Sequence, residues 1–329
     1  MASVAPNRSS SVRFTNILRD SGIALALLLL IVVFSLTTQH FLTFNNITNI
    51  LTQVTINLIL AIGMTFVILI GGIDLSVGSV LALCAVVGGT VMNLPGLGVA
   101  EAVALATLAS IAVGIACGFV NGFISAYWGL PSFIVTLGML NIARGAALQV
   151  TDARAIYSFP PAFNAFGSQT LFGIPLAFLV ALAMVAIGWF VLNRTVFGRL
   201  LYGIGNNEEA VRLAGHPVFW YKIAAFTIAG AAVGIGAIIY MARLNVASPI
   251  IGIGFELNAI AAVIIGGVSL TGGRGSILGT LLGAVIIGVL ANGLVLLGLS
   301  DFMRQMITGF VIILAVIVDK YRERLSAIG

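Results

Sequence analysis

The segment NLILAIGMTFVILIGGIDLSVGSVL, Asn57–Leu81, decides the fold. It runs as uncharged apolar sequence to Ile70, breaks at Gly71-Gly72, carries one charge at Asp74, and restarts as apolar sequence from Ser76. No Asp, Glu, Lys or Arg occurs between Asp20 and Asp74, from Ala102 to Ala143, or from Ala155 to Asn193. One helix needs about 20 apolar residues to cross the hydrocarbon of a bilayer. Each run therefore holds two spans, or one span and a polar loop. Lipid offers a backbone no hydrogen bonds, which leaves helices, and no ten-residue alternation of the kind a barrel needs is present.

Composition agrees. Of 329 residues 60% are hydrophobic and 8% charged, with a mean hydropathy of +1.18. A soluble domain runs at about 45–50% apolar and roughly 25% charged, so this chain lacks the charge to cover a water-facing surface. The reading is an all-α, polytopic helical membrane protein in a lipid bilayer. Ten spans are expected, at 21–39, 53–71, 76–93, 98–126, 131–149, 172–192, 221–243, 255–270, 276–298 and 303–319. Residues 1–20 then form an N-terminal tail, 21–319 the membrane domain with a loop at 193–222, and 320–329 a C-terminal tail. Ser21–Leu36 has no small-residue cleavage site after it, so it reads as a retained span and not a signal peptide.

Basic residues set the expected orientation. With both termini inside, Arg8, Arg13, Arg19, Arg194, Arg199, Arg212, Lys222, Arg274, Lys320, Arg322 and Arg324 are cytoplasmic. Arg144, Arg154, Arg243 and Arg304 are outside or embedded, and this asymmetry is the one membrane insertion favours. Small-residue stretches at Ala112–Gly118 and Ala229–Gly234 let helix backbones approach closely. Asn57–Leu81 is echoed by Asn258–Leu282, which also runs from apolar sequence into a glycine-rich break, Gly272-Gly273-Arg274-Gly275. Two pseudo-repeated halves are therefore expected, as in many transporters.

The loop 193–222 contains Gly205-Asn206-Asn207-Glu208-Glu209-Ala210-Val211-Arg212-Leu213-Ala214-Gly215-His216-Pro217. Asn206 suits an N-cap, with Glu209 completing a capping box. Glu208 can meet Arg212 at i,i+4. Gly215 suits a left-handed C-cap, and Pro217 blocks continuation. The segment predicts a two-turn helix outside the bilayer, docked either into a groove of a soluble partner or back on its own bundle. Asp74, beside Ser76, reads as a cap of the following helix, with contact to cargo as the competing role. Arg144, Arg243 and Glu256 fall at outer span ends, where they snorkel to headgroups or meet an external partner.

Several chemistries are excluded. His40 and His216 have no second ligand by spacing, and Cys84 and Cys117 are isolated thiols in apolar segments, so neither a metal site nor a disulfide framework is expected. No phosphate-cradling GxxxxGK[ST] motif, no paired nucleophile and base, and no carbonyl-filter motif is present. No catalytic residue, metal or nucleotide site is expected.

Residues Ile62–Thr65, Gly71–Ser79 (with Gly72, Asp74, Ser76 and Gly78), Phe133–Gly138 and Arg144-Gly145 resemble the ribose-type permease subunits of bacterial ABC importers. Gly198-Arg199 and Tyr202–Gly215 are similar to that family's cytoplasmic coupling loop, and Ala242–Leu244, Glu256–Val263 and Gly272–Gly275 to its last third. The resemblance covers residues 41–319. It implies that the chain pairs with a second permease subunit, a copy or a paralogue, in the bacterial inner membrane. A separate cytoplasmic ATPase would hold ATP and Mg and grip the coupling loop. A periplasmic or lipid-anchored binding protein would deliver a monosaccharide; no nucleic acid is implied. In the family's pattern Asn206 stands where glycine is usual, and His216 where a branched aliphatic residue is usual. Phe219-Trp220 is more aromatic than typical. The competing class is an ion- or proton-coupled secondary transporter, which would want ionisable groups deep in its spans.

Overall fold

The computed structural model describes the backbone of residues 8–328 and the side chains of residues 22–317. The side chains of Arg8, Arg13, Arg19, Lys320, Arg322 and Arg324 lie outside the described residues, as do those of both predicted tails.

In chain order the helices are α1 (Arg8–Thr37), α2 (Phe44–Leu69), α3 (Val77–Met92), α4 (Val99–Trp128), α5 (Ser132–Thr151) and α6 (Pro161–Ser168). They continue with α7 (Leu176–Arg194), α8 (Val196–Leu213), α9 (Val218–Leu244), α10 (Phe255–Ile265), α11 (Ile277–Leu296) and α12 (Asp301–Ile328). Two antiparallel clips of two-residue strands tie the connections: β1 (Ile156–Tyr157) with β4 (Val246–Ala247), and β2 (Thr170–Leu171) with β3 (Ile174–Pro175). Among the described residues six helices are long and apolar enough to cross a membrane: α2, α4, α5, α7, α9 and α11. Gly22–Thr37, Val77–Met92 and Phe255–Ile265 are shorter apolar helices.

α2 is the axis of the bundle. From Val54 to Leu69 every residue except Asn57 is buried, against α9, α10, α11 and α7. It begins at Phe44, not at residue 53 as expected. Its polar first turns are satisfied from within: Thr43 accepts from the Asn46 N–H at 3.4 Å, and the hydroxyls of Thr48 and Thr52 donate to Phe44 O and Thr48 O. The Asn46 amide exchanges two 3.0 Å hydrogen bonds with Asn292 on α11. Hydrogen-bonded polar groups are tolerated where bare ones are not. A second polar tie, between the Thr65 and Thr280 hydroxyls at 2.8 Å, also joins α2 to α11.

The two small-residue stretches meet. A Cβ on Gly114 would strike the Gly230 carbonyl, and a Cβ on Gly230 the Gly114 carbonyl. Burial of apolar surface does not separate helix from lipid, so close backbone packing of this kind holds α4 on α9.

Other boundaries also move. The connection 150–171 contains α6, started by Pro160-Pro161. The span expected at 172–192 begins at Leu176, after the β2–β3 clip. The span expected at 255–270 stops at Ile265, because Gly266 and Gly267 end it in a tight turn, Gly267 at φ +81°. The expected loop 193–222 is mostly helix, occupied by α8 and the start of α9.

Candidate functional site

Each of the two glycine-rich breaks follows a buried helix. Between α2 and α3 the chain has no regular structure over residues 72–76 and is pinned by hydroxyls from α5. The Ile73 N–H donates to Ser132 Oγ at 2.9 Å and the Leu75 N–H to Thr136 Oγ1 at 3.1 Å, while Thr136 Oγ1 donates to Ile73 O at 3.2 Å. Asp74 is 4% exposed. Its Oδ1 accepts from the Ser76 N–H at 2.8 Å and from Ser76 Oγ at 2.6 Å, and Ser76 Oγ accepts from Asn121 Nδ2 at 3.0 Å. The carboxylate thus lies at the start of α3, where free N–H groups favour negative charge. The Ser76 side chain makes no capping bond of its own.

The second break, Gly266–Ser276, joins α10 to α11. Gly272 and Gly273 lie at φ +86° and +72°, values that glycine adopts without strain. The Gly273 N–H donates to Leu69 O at 2.9 Å, so the second break is bonded directly to the end of α2. Gly275 O accepts from Tyr202 OH of α8 at 2.9 Å. Arg274 is exposed on this turn, with Ser269 N–H donating to its carbonyl at 3.0 Å.

α8 lies across both breaks. Gly198, in its first turn, is buried against the end of α7, and Arg199 beside it is exposed. Gly205 sits against Leu69 O and Gly273 so closely that a Cβ there would collide with backbone on two sides. Asn206 Nδ2 donates to Tyr202 O at 2.8 Å and to Gly273 O at 3.1 Å. At this residue, where the resemblance led one to expect glycine, the side chain bridges α8 and the second break.

Asn206 is therefore not the N-cap. The helical path fails one residue later, at Asn207 (φ −160°, ψ 95°), whose Oδ1 accepts from the Ala210 N–H at 3.0 Å. Engagement of Asn206 with Gly273 leaves the cap to its neighbour, and the expected capping box with Glu209 does not form. Nor do Glu208 and Arg212 pair. Glu208 Oε2 accepts from Lys222 Nζ of α9 at 2.8 Å, and Arg212 pairs with Glu209. The kink at Asn207 turns Glu208 toward α9 and brings Arg212 within reach of Glu209 at i,i+3. At the other end, the Gly215 N–H donates to Arg212 O at 3.0 Å and the His216 N–H to Val211 O at 3.3 Å, with Gly215 at φ +85°. These are the two bonds of a Schellman ending. Val211 packs inward, while Ala210 and Leu213 face out, Leu213 at 79% exposure and Trp220 nearby in sequence at 59%.

The charges expected at outer span ends are placed elsewhere. Arg144 Nη1 donates to Pro249 O and, at 2.9 Å, to Ile251 O. Arg243 Nη1 donates to Thr52 O at 3.3 Å. Glu256 Oε1 accepts from the Gly254 N–H at 3.2 Å. All three hydrogen-bond to backbone of their own chain. Gly78 packs on Gly252 and Glu256. Cys84 is buried and Cys117 half-buried, both as free thiols, and no group of three or more potential metal ligands occurs among the described residues. Sequence reasoning placed Asn207 in the loop without giving it the cap, named Thr136 and Lys222 without their hydrogen-bond partners, and missed Ser132 and Asn121. Only Asn207 carried a local signal, its place one residue after another good cap.

The family model described as branched-chain amino acid transport system / permease component matches residues 46–316. The chain is 41% identical over 303 residues to the ribose import permease protein RbsC of Escherichia coli (strain K12), a match spanning 91% of this chain and 93% of that protein. It is 39% identical over 315 residues to the ribose import permease protein RbsC of Bacillus subtilis (strain 168), at 95% and 96% coverage. It is 36% identical over 300 residues to the D-allose transport system permease protein AlsC of Escherichia coli (strain K12), at 91% of each chain. No solved structure matches it.

Proposed function

The chain belongs to the branched-chain amino acid transport system / permease component family, and from that premise we propose that it is the membrane permease subunit of an ATP-driven importer of a monosaccharide. The cargo is a ribose-like pentose or a hexose, as the names of its relatives support. The observation that carries the reading is the short helix after Asn207: capped at both ends, exposed at Leu213, and rooted at Gly205-Asn206 against both breaks.

A separate cytoplasmic ATPase holds ATP and Mg and grips this helix; the permease itself carries no cofactor. When the ATPase moves, the displacement reaches residues 69–72 and 272–275, because Gly205 leaves no side chain whose rotation could absorb it. The helices hinged at those breaks then turn the pathway from outward to inward access. A second permease subunit completes the pathway, and an extracytoplasmic binding protein delivers the sugar. The six long apolar helices and the three shorter ones, taken with α12, support a reading of ten spans. The matching helix–break–helix units α2–α3 and α10–α11 support two repeated halves. The basic residues of α8 and its flanks support a multi-pass inner-membrane protein with both termini in the cytoplasm. Among the described residues Asp74 is the one buried carboxylate, and Ser76 engages it, which favours ATP over proton coupling.

Proteoliposomes test the reading. Uptake of labelled D-ribose is expected only with the ATPase, the binding protein and ATP all present, and Leu213→Asp is expected to release the ATPase during co-purification. Gradient-driven uptake by this chain alone would refute it.

A further inference from the structure

A cavity of about 370 Å³ opens between α2, α9, α10 and α11. Asn57 and Gln53 line it from α2, Tyr240 and Arg243 from α9, Phe255 and Asn258 from α10. Asn57 lies near the middle of Phe44–Leu69, about 18–20 Å from either end at 1.5 Å per residue. On α9 the cavity meets the last turns, Tyr240–Leu244, and on α10 the first, Phe255 and Asn258, so it lies toward the ends of those helices that the charge asymmetry assigns outward, beside two helices that lead into the breaks. Asn57 and Asn258 open the two matching segments 57–81 and 258–282, so it lies where the two halves meet, a common place for a transported solute.

Asn57 is the anomaly of α2. Both its Nδ2 and its Oδ1 are buried without a hydrogen-bond partner, and no other side chain among the described residues has both amide atoms in that condition. A buried amide left bare is costly, and the chain pairs the other buried polar residues of α2, Asn46, Thr55 and Thr65. A single water occupies about 30 Å³, far less than this space, whose volume falls in the range of about 300–1,000 Å³ typical of ligand sites. The chemistry of the wall is specific. Carboxamides both donate and accept, as sugar hydroxyls do; the Arg243 guanidinium donates; and the rings of Tyr240 and Phe255, 6.3 Å apart, offer apolar faces to a sugar's C–H face. A larger cavity of about 770 Å³ between α4, α6, α7 and α9 has Thr107 as its one polar lining residue and suits an acyl chain instead.

We propose that this cavity is the transit site for the sugar, its hydroxyls held by Asn57, Asn258, Gln53 and Arg243 and its ring face by Tyr240 and Phe255. The proposal rests on the transport reading above and names the site at which that transport passes through this chain.

The test uses the full complex with ATPase and binding protein in proteoliposomes, D-ribose as the probe, and Asn57→Leu and Asn258→Leu as separate variants. Each is expected to lower uptake at least tenfold. Asn57→Leu should keep or raise the melting temperature of the purified protein, because it removes an amide that has no protein partner. Thr107→Val, in the apolar cavity, should transport as the wild type does. Undiminished uptake by both asparagine variants would overturn the site and leave the transport reading standing. A lower melting temperature for Asn57→Leu with a proportionate loss of uptake would also overturn it, by making the amide structural. Failure of the wild-type complex to take up ribose, D-allose or L-arabinose would overturn the transport reading and the site with it.

Discussion

Gly205→Ala probes the junction on which coupling depends. An added Cβ would lie 2.9 Å from Gly273 Cα and closer still to Leu69 O and Gly273 N. All three are backbone atoms, held to one another by the Gly273 N–H to Leu69 O bond of 2.9 Å. Neither side can turn away, so α8 must withdraw by roughly 1 Å, a forced adjustment of the kind that costs about 1–3 kcal/mol in a packed interior. The Asn206 Nδ2 to Gly273 O bond, already 3.1 Å, would then exceed hydrogen-bonding range at a further cost of about 0.5–1.5 kcal/mol. Together these give about 1.5–4.5 kcal/mol, a fall of several degrees in melting temperature. The functional consequence should be larger than the thermal one, because the withdrawn segment is the lever: ATP hydrolysed per sugar moved should rise several-fold. Gly138→Ala is the control, since a Cβ there meets nothing within 4 Å and exposed helix sites change stability by about 0.5 kcal/mol or less. Thermal melting followed by tryptophan fluorescence, with paired uptake and phosphate-release assays, reads both effects. If Gly205→Ala matches Gly138→Ala in melting and in ATP per sugar, the close junction is not the route by which force is carried.

Asn207→Ala removes the side chain that caps the short helix and should cost about 1 kcal/mol locally, read as faster amide exchange over residues 208–213 and weaker ATPase co-purification. Thr65→Val takes one partner from Thr280, whose hydroxyl keeps Ser276 O at 3.2 Å, and should destabilise by about 0.5–1.5 kcal/mol, while Thr65→Val with Thr280→Val should cost less than the sum of the two single changes, because the shared bond is lost only once. Lys222→Met breaks the half-exposed pair with Glu208; the cost should be about 1 kcal/mol or less and should shrink further in high salt.

The amino-acid sequence by itself determined the class of fold and most of the element order. Long uncharged runs can only be lipid-facing or packed helices, and Gly71-Gly72 and Gly272-Gly273 can only interrupt them, so these features need no knowledge of neighbours. Gly215 likewise announced a left-handed helix end, because φ above zero is a local property of the backbone. Tertiary structure decided what depended on partners far along the chain. Asn206 and Asn207 are equally good caps in isolation, and Gly273, distant in sequence, chose between them by taking the Asn206 amide. Glu208 had two cations within plausible reach, and the kink at Asn207 gave it to Lys222. Polar Asn46, Thr48 and Thr52 resembled a loop until Asn292 and the turns of α2 satisfied them. Asn57 looked like any polar residue at the head of an apolar run, and only the packing of four helices left its amide buried and bare beside a cavity. The physical reason is the same throughout: periodicity and conformational preference are written residue by residue, whereas a hydrogen bond is settled by whichever group the fold brings within 3 Å.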